Sequence, residues 1–392
     1  MGALVPFILL LLALALALRV ELFFVIVWFL AGIYVLSRLW TRRAAEGLRV
    51  QRAFLDRAFT GDHVTVDLAL HNSGRLPVPW IEIEESIPIE LRSELFPAQA
   101  FSLRGGETRR FSYALHCRRR GVYQLGPLRA ESGDVLGIEQ RALAANEARR
   151  LLVYPRIVPL ERLGLPTRSA LTNLPARLPL FEDPTRIMGV RDYRRGDSPR
   201  RINWKATART NRLMVKQFQP ATARDTQICL DLDIRDYELR SRYDAVEMAI
   251  TVAASLAHHI VVNESLPAGL ATVVGNDGDA SRRRISLPPG AERGHLMALL
   301  EVLARVQMSP GESFPGLLRQ EAVHLAWGTT MIVVTGSVSD ELAGTLLYLQ
   351  RSGHAVAVVM VRPSWLRTDE DAGIAGMPVW RVWADQDLAA LA

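Results

Sequence analysis

Between Arg191 and Gln219 the chain carries nine basic residues and two acids. This local surplus exceeds the formal net charge of +6 for all 392 residues. Lysine is nearly absent elsewhere: only two of the 47 basic residues are Lys, and both, Lys205 and Lys216, fall in this segment. A compact ammonium and a planar guanidinium are not interchangeable at a fitted site, so the placement of both lysines here suggests that the segment needs ammonium groups. Tyr193, Trp204 and Phe218 interleave with the charges.

Three readings of the segment are open. As a structural brace, its arginines pair with carboxylates and backbone carbonyls while Trp204 buries its ring. As a docking surface, it presents Trp and Arg, the residue types most enriched at binding hot spots. As a nucleic-acid or lipid site, it attracts phosphate with an affinity that falls with salt. Asp192 and Asp197 can neutralise neighbouring arginines, but their spacing alone does not make an acid/base pair.

Elsewhere the candidates thin out. His258 and His259 are adjacent on an expected helix and face different directions, against a shared metal. No Gly-x-Ser-x-Gly elbow and no phosphate-binding P-loop occurs in the sequence. The run Gly275 to Asp279 lacks the remaining ligands of a calcium loop and reads as a hairpin turn. Arg282 to Arg284 read as a solvated face. Cys117 and Cys229, about a hundred residues apart, build neither a disulfide framework nor a metal knuckle.

The elements that must hold these residues follow from patterning. Ala3 to Leu18 and Leu22 to Leu36 are apolar runs of 16 and 15 residues separated by Arg19, Val20 and Glu21. Each is short against the roughly 20 residues of a spanning helix. A helical hairpin is expected, with flanking residues completing each span. A cleavable signal peptide is the alternative, although no basic residue precedes the first run. Arg38, Arg42 and Arg43 after the second run mark a cytoplasmic side.

From about Leu48 to Pro155 the pattern has period two, as in His63 to Leu70, Trp80 to Glu84 and Phe111 to Leu115. Turn signals at Asn72 to Gly74, Gly105-Gly106 and Ser132 to Asp134 separate the strands. An antiparallel β-sandwich is expected. Residues 156 to 187 lack periodicity and read as a linker, and Arg212 to Phe218 alternate like a strand.

Beyond Thr226, strand-like runs (Ile228 to Asp233, Leu270 to Val274, Thr330 to Thr335, Ala355 to Val361, Val379 to Val382) alternate with helical ones (Arg240 to Val262, Gly294 to Val306, Leu342 to Arg351, and a short C-terminal helix). That order predicts a mostly parallel sheet with helices on both faces. The expected organisation is multidomain: transmembrane helices over 1–44, a β-sandwich over 45–156, a linker plus the basic segment over 157–220, and an α/β domain over 221–392.

Several stretches carry a family resemblance. Arg191-Asp192-Tyr193, Arg195-Gly196-Asp197, Pro199 to Ala206, Ala208-Arg209 and Leu213 to Phe218 resemble, in order and spacing, the signature of the bacterial family called domain of unknown function 58. Arg120 to Tyr123 with Leu125-Gly126-Pro127, then Asp134 to Gly137, resemble that family's strand-and-turn element, and Val153-Tyr154-Pro155 its exit strand. The signature residues are Arg191, Asp192, Tyr193, Gly196, Asp197, Arg200, Arg201, Trp204, Lys205, Arg209 and Lys216.

The C-terminal region resembles a von Willebrand factor A-type domain, a Rossmann-like α/β fold whose metal site begins Asp-x-Ser-x-Ser after the first strand. Asp231 and Asp233 are the candidate ligands, but neither frame has the two hydroxyls, and Arg235 opposes a cation. Thr335-Gly336, with Asp340 further on, stand where the family often has Ser-Asp. Mg²⁺ is therefore disfavoured though oxygen ligands remain.

The resemblance implies a non-enzymatic scaffold integral to the inner membrane, with its soluble domains in the cytoplasm. Its implied partners are a MoxR-type AAA+ ATPase and other A-type or transglutaminase-like membrane proteins, with no nucleic acid. The alternative is a metal-dependent adhesion module or enzyme using Asp231 and Asp233.

Overall fold

The computed structural model describes residues 4–18, 21–92, 100–133, 140–160, 182–194, 202–220, 225–276, 279–308, 313–326, 328–362, 377–384 and 387. The chain divides into two compact units, residues 1–154 and 155–392.

The first unit opens with α1 (Leu4–Leu18) and α2 (Glu21–Glu46), which pack on each other. The most apolar 18-residue window of Glu21–Ala44 has a mean hydropathy of 2.2, and only 6% of it is buried. At 1.5 Å per residue it reaches about 36 Å, enough for the hydrocarbon core of a bilayer. Trp28 and Phe29 point outward on it. The first run is helical as expected, but its 15 residues fall short of that length. Arg19 and Val20, expected at the hairpin turn, lie outside the described residues. Trp40 Nε1 donates to the Pro77 carbonyl at 3.1 Å and Ala44 joins the core below, which ties the helix end to the sheets.

Those sheets come from the period-two segments. One holds β1 (Leu48–Ala53), β3 (His63–Asn72) and β6 (Thr108–His116), all antiparallel. A second orders β5 (Phe101–Leu103), β4 (Val78–Glu85), β8 (Leu128–Gly133) and β9 (Gln140–Asn146), again antiparallel. In the third, β10 (Arg149–Tyr154) pairs antiparallel with β7 (Gly121–Leu125) and parallel with β2 (Arg57–Phe59).

Along β3, Val64, Val66, Leu68 and Leu70 are buried and their neighbours are not. With Ile81, Ile83, Leu115, Leu128 and Leu151 they form one core. Burial of each such side chain is worth about 1.5–3 kcal/mol, which selects this register over a one-residue slip. Tyr123 packs against the core and its hydroxyl donates to the Arg119 carbonyl at 2.9 Å. The expected turn residues Asp134 to Gly137 lie outside the described residues.

The second unit contains a two-stranded ribbon and a six-stranded sheet. The ribbon is β11 (Glu182–Asp192) with β12 (Met214–Pro220), antiparallel, and α3 (Trp204–Thr210) lies between them in the chain. The expectation of an irregular linker to residue 187 is thereby corrected. β11 starts at Glu182 because its backbone finds partners in β12, a pairing distant in sequence that no local periodicity announces.

The large sheet runs β15-β14-β13-β16-β17-β18. Its members are β13 (Thr226–Leu230), β14 (Ala268–Asn276), β15 (Asp279–Gly290), β16 (Thr330–Thr335), β17 (Ala355–Val361) and β18 (Val379–Val382). All neighbouring pairs are parallel except β14 with β15. β14 and β15 bring Asn276 opposite Asp279, and Asp277 and Gly278 of the expected hairpin turn lie outside the described residues. β15 was not expected from the sequence: its three consecutive arginines hide the alternation, and charge is tolerated there because the strand is at the sheet edge.

Helices cover both faces. α4 (Arg242–His258) continues into a π-helical turn, His259–Asn263. The stretch Arg242–Asn263 is also long and apolar enough to cross a membrane, yet 72% of its window is buried against the sheet and α5 (Arg293–Arg305). Its apolarity is that of a core helix. On the opposite face, α6 (Phe314–His324) and α7 (Asp340–Arg351) pack Leu317, Leu318, Leu346 and Leu349 on Val333 and Val358. α6 is a further element the sequence reading lacked. The expected C-terminal helix lies largely outside the described residues.

Candidate functional site

The ribbon presents the basic segment. Asn203 caps α3 by accepting the Ala206 N–H at 3.2 Å, and Asn211 ends the helix in the left-handed region at φ 54°. The Thr207 hydroxyl accepts the Met214 N–H at 3.0 Å, which turns the chain into β12. Tyr193 N–H donates to Leu213 O and Asn203 N–H to Met214 O, both at 2.8 Å.

This frame buries Val215 and turns most of the described signature residues outward. Trp204 is 68% exposed, with Tyr193, Leu213 and Val190 also exposed. Asp192, Lys205 and Arg209 are exposed, and Arg191 and Lys216 are half-buried. On β11 and β12, Arg191 pairs with Val215 and Val190 with Lys216. Gly196, Asp197, Arg200 and Arg201 lie outside the described residues.

A second constellation sits at the carboxyl ends of β13 and β16. The chain leaves β13 through α4 toward β14 on one side and leaves β16 through α7 toward β17 on the other. That divergence is a topological switch point, where open α/β sheets have a crevice. Asp231 lies just beyond β13 and is 1% exposed. Its Oδ1 accepts the Asp233 N–H at 3.0 Å, and its Oδ2 accepts the Thr335 hydroxyl at 2.8 Å. The Tyr237 hydroxyl donates to the Asp231 carbonyl at 2.6 Å.

Asp231 and Asp236 lie close enough for the charge of one to act on the other. Burial first, then the Asp236 charge, hold the Asp231 carboxyl well above the ordinary carboxylate range. Asp236 is raised as well, chiefly by burial, with the Asp233 charge adding to it. Burial pushes the Tyr237 phenol upward too, so it stays a donor.

Asp233, 7% exposed at its side chain, is clasped by Arg235. Nε lies 3.0 and 3.1 Å from the two carboxylate oxygens and Nη2 2.5 Å from Oδ2. Of the residues singled out in the sequence, Asp231, Asp233 and Thr335-Gly336 therefore converge. Asp340 does not, because it opens α7 behind the Ser339 cap and serves the helix N-terminus.

Asp236 and Ser337 belong to the crevice but escaped the sequence reading, although the spacing of Asp231, Asp233 and Asp236 was a usable signal. His259 is buried beside Asn263 at 3.0 Å and Glu264 at 3.4 Å, a local pairing at the end of α4. Among the described residues no group of three or more His, Cys, Asp or Glu is arranged to hold a metal ion. A cleft of about 1020 Å³ in the β unit, lined by Gln51, Asp67, Arg110 and Arg149 among others, contains none of the signature residues.

The held proton gives a testable pH dependence. With its folded pKa raised, Asp231 keeps a proton that the unfolded chain surrenders near pH 4, so this group's contribution to stability falls as pH rises above about 4. The decline is at most about 1.4 kcal/mol per pH unit and stops where the folded carboxyl itself ionises. Asp231→Asn, which mimics the protonated form, is expected to flatten the slope. Denaturant unfolding of both proteins from pH 4 to 8 checks this, and parallel curves would show that no such proton is held.

Comparison with known proteins bears on the same unit. The model of a family described as "Protein of unknown function DUF58" matches residues 189–364, which span the end of the ribbon and most of the large sheet. An uncharacterized protein YeaD of Bacillus subtilis (strain 168) is 24% identical over 319 residues, covering 77% of this chain and 72% of its own length.

Among solved structures, a CARDB domain from Pyrococcus furiosus, in complex with di-metal ions, covers 27% of this chain and 91% of its own at 16% identity and a TM-score of 0.21. The PapD-like domain 7 of human CEP192 covers 28% and 82% at 13% identity and a TM-score of 0.18. Scores this low carry no argument. The basic signature and the match over residues 189–364 agree, and over that stretch the chain is similar to the DUF58 family of proteins of unknown function.

Proposed function

We propose that this chain is a membrane-anchored, non-enzymatic scaffold that works with a MoxR-type AAA+ ATPase through protein–protein contacts made by its basic signature. The observation that carries this reading is the exposure of Trp204. A brace would bury that ring; an indole left 68% exposed among Lys205, Arg209 and Arg212 has the composition of a binding hot spot. In this reading the parallel sheet with its covering helices is a von Willebrand factor A-like domain and the layered sheets are a sandwich. The helix Glu21–Ala44 anchors the chain in the inner membrane. Arg38, Arg42 and Arg43 at its end orient the soluble units toward the cytoplasm.

The test is affinity capture from native membranes with the tagged full chain and with Trp204→Ala/Lys205→Ala. Both positions are exposed, so the variant is expected to keep the wild-type circular dichroism spectrum and melting temperature. Recovery of an AAA+ ATPase with wild type, reduced at least tenfold with the variant, is the expected result. Equal recovery from the two would move docking away from the signature.

A further inference from the structure

Two turns of the β unit clasp the end of α2. Trp40 Nε1 donates to the Pro77 carbonyl at 3.1 Å, which holds the turn between β3 and β4 beside the helix. The Ser73 N–H and hydroxyl both donate to the Gly47 carbonyl, at 2.8 and 2.7 Å. The turn between β5 and β6 joins them: Asn72 Nδ2 donates to the Leu76 and Arg104 carbonyls at 2.9 and 3.1 Å, and the Gly106 N–H donates to Asn72 O at 2.8 Å. Two glycines let these backbones meet. A Cβ on Gly47 would stand 2.7 Å from Gly74 N, and one on Gly105 2.5 Å from Arg75 O.

Each of the three segments brings arginine to the same place. Arg42 and Arg43 lie near the end of the helix, Arg75 on the first turn and Arg104 on the second, and all four are exposed. Among the described residues none of these guanidiniums has an ion-pair partner. Glu46 and Glu107 are the acids of the same segments, and Glu107 is turned back onto the Arg104 N–H at 2.7 Å. Positive charge is therefore in surplus, and it faces solvent.

Height relative to a bilayer follows from α2 itself. Its apolar run closes at Leu36, and Tyr34, Arg38 and Trp40 surround that point, with Arg38 Nη1 donating to the Tyr34 hydroxyl at 3.1 Å. Aromatic and basic side chains of this kind settle among headgroups. Because Trp40 is bonded to Pro77, the first turn stands at headgroup level, and the Asn72 bonds bring the second turn with it.

We propose that Arg42, Arg43, Arg75 and Arg104 form a collar that binds the phosphates of anionic phospholipids at the membrane surface. A guanidinium meets a phosphate through two parallel hydrogen bonds, and a cluster of arginines beside a spanning helix draws anionic lipid toward it. Two of the four come from turns of the sheets, so the collar fixes the β unit against the bilayer as well as the helix within it. The inference rests on the membrane anchoring proposed above and is independent of docking by the signature.

Native mass spectrometry of the full chain in neutral detergent, titrated with phosphatidylglycerol or with phosphatidylcholine, reads the bound lipids and their affinity. Wild type is expected to bind phosphatidylglycerol about tenfold more tightly than phosphatidylcholine, or better. Arg75→Gln/Arg104→Gln is expected to lose about fivefold or more of the phosphatidylglycerol affinity and none of the phosphatidylcholine affinity. Arg118→Gln/Arg119→Gln removes the same charge at the other end of β6 and should bind both lipids as wild type does.

No headgroup preference in wild type, or an equal loss in the two variants, would overturn the proposal. Should Arg75→Gln/Arg104→Gln fail to fold, the wild-type comparison of the two lipids decides. Alkaline carbonate extraction of native membranes separates the collar from the anchor. A chain that stays in the membrane but shows no headgroup preference keeps α2 as an anchor and ends the collar; a chain released by carbonate ends both.

Discussion

Arg52→Ala is expected to destabilise the β unit by about 3–5 kcal/mol, the usual cost of leaving one member of a buried ion pair alone. Arg52 Nη1 lies 2.6 Å from Glu85 Oε1, and the two side chains are 1% and 0% exposed. Arg52 sits on β1 and Glu85 ends β4, so the pair joins two different sheets. Arg52 Nη2 also donates to the Glu147 carbonyl at 2.8 Å, and the Tyr113 hydroxyl donates to Glu85 Oε2. Burial, together with Glu85, pushes the Tyr113 phenol far above its ordinary range, so it remains a donor at every working pH.

Space around the guanidinium is matched as well. Gly126 has φ +92°, and a Cβ there would stand 2.9 Å from Arg52 Nη1. With Arg52 removed, Glu85 is left buried without its partner. The double variant Arg52→Met/Glu85→Leu is expected to recover most of the loss, because an apolar pair of similar volume has no charge to desolvate. Urea unfolding of the three proteins measures both effects. A single-variant loss under about 1 kcal/mol would mean that solvent enters the pair.

Gly336→Ala is expected to cost about 1–3 kcal/mol or more and to loosen the crevice at the switch point. A Cβ at this position would collide with the Asp236 carbonyl oxygen and come within 2.5 Å of Tyr237 Cδ1. Neither can yield cheaply: one is backbone, and the Tyr237 ring is buried with its hydroxyl bonded to Asp231 O. Relief requires the turn carrying Asp233, Arg235 and Asp236 to move away from β16. The near-UV circular dichroism of tyrosine should change along with the melting temperature. Gly344 on α7, where a Cβ would meet nothing within 4 Å, is the control; Gly344→Ala should be neutral or stabilising by up to about 1 kcal/mol.

Local pattern went far in this chain. The expected strands Thr330 to Thr335, Ala355 to Val361 and Val379 to Val382 coincide with β16, β17 and β18, because each is a short run rich in β-branched residues. The alternation in His63 to Leu70 lies within β3 for the same reason. β15 and the start of β11 were illegible, since one carries three consecutive arginines that hide its alternation and the other is defined by a partner more than twenty residues away. Phe314 to His324 carries a helical face, but a single turn of it resembles loop until Leu317 and Leu318 are seen against Val333.

The sequence by itself determined the order of membrane-compatible helix, alternating strands and α/β alternation, and it located the charge between Arg191 and Gln219. Periodicity and composition are properties of neighbours in the chain, and these features need nothing more. Only the tertiary structure decided that Trp204 faces outward and that Asp231 meets Thr335 across 104 positions in the chain. It alone decided that the Asp236 charge bears on Asp231 and that Arg235 turns back onto Asp233. Those outcomes depend on which strand ends lie side by side and on how little water reaches them. Burial and long-range pairing set both, and neither is a property of any local stretch of sequence.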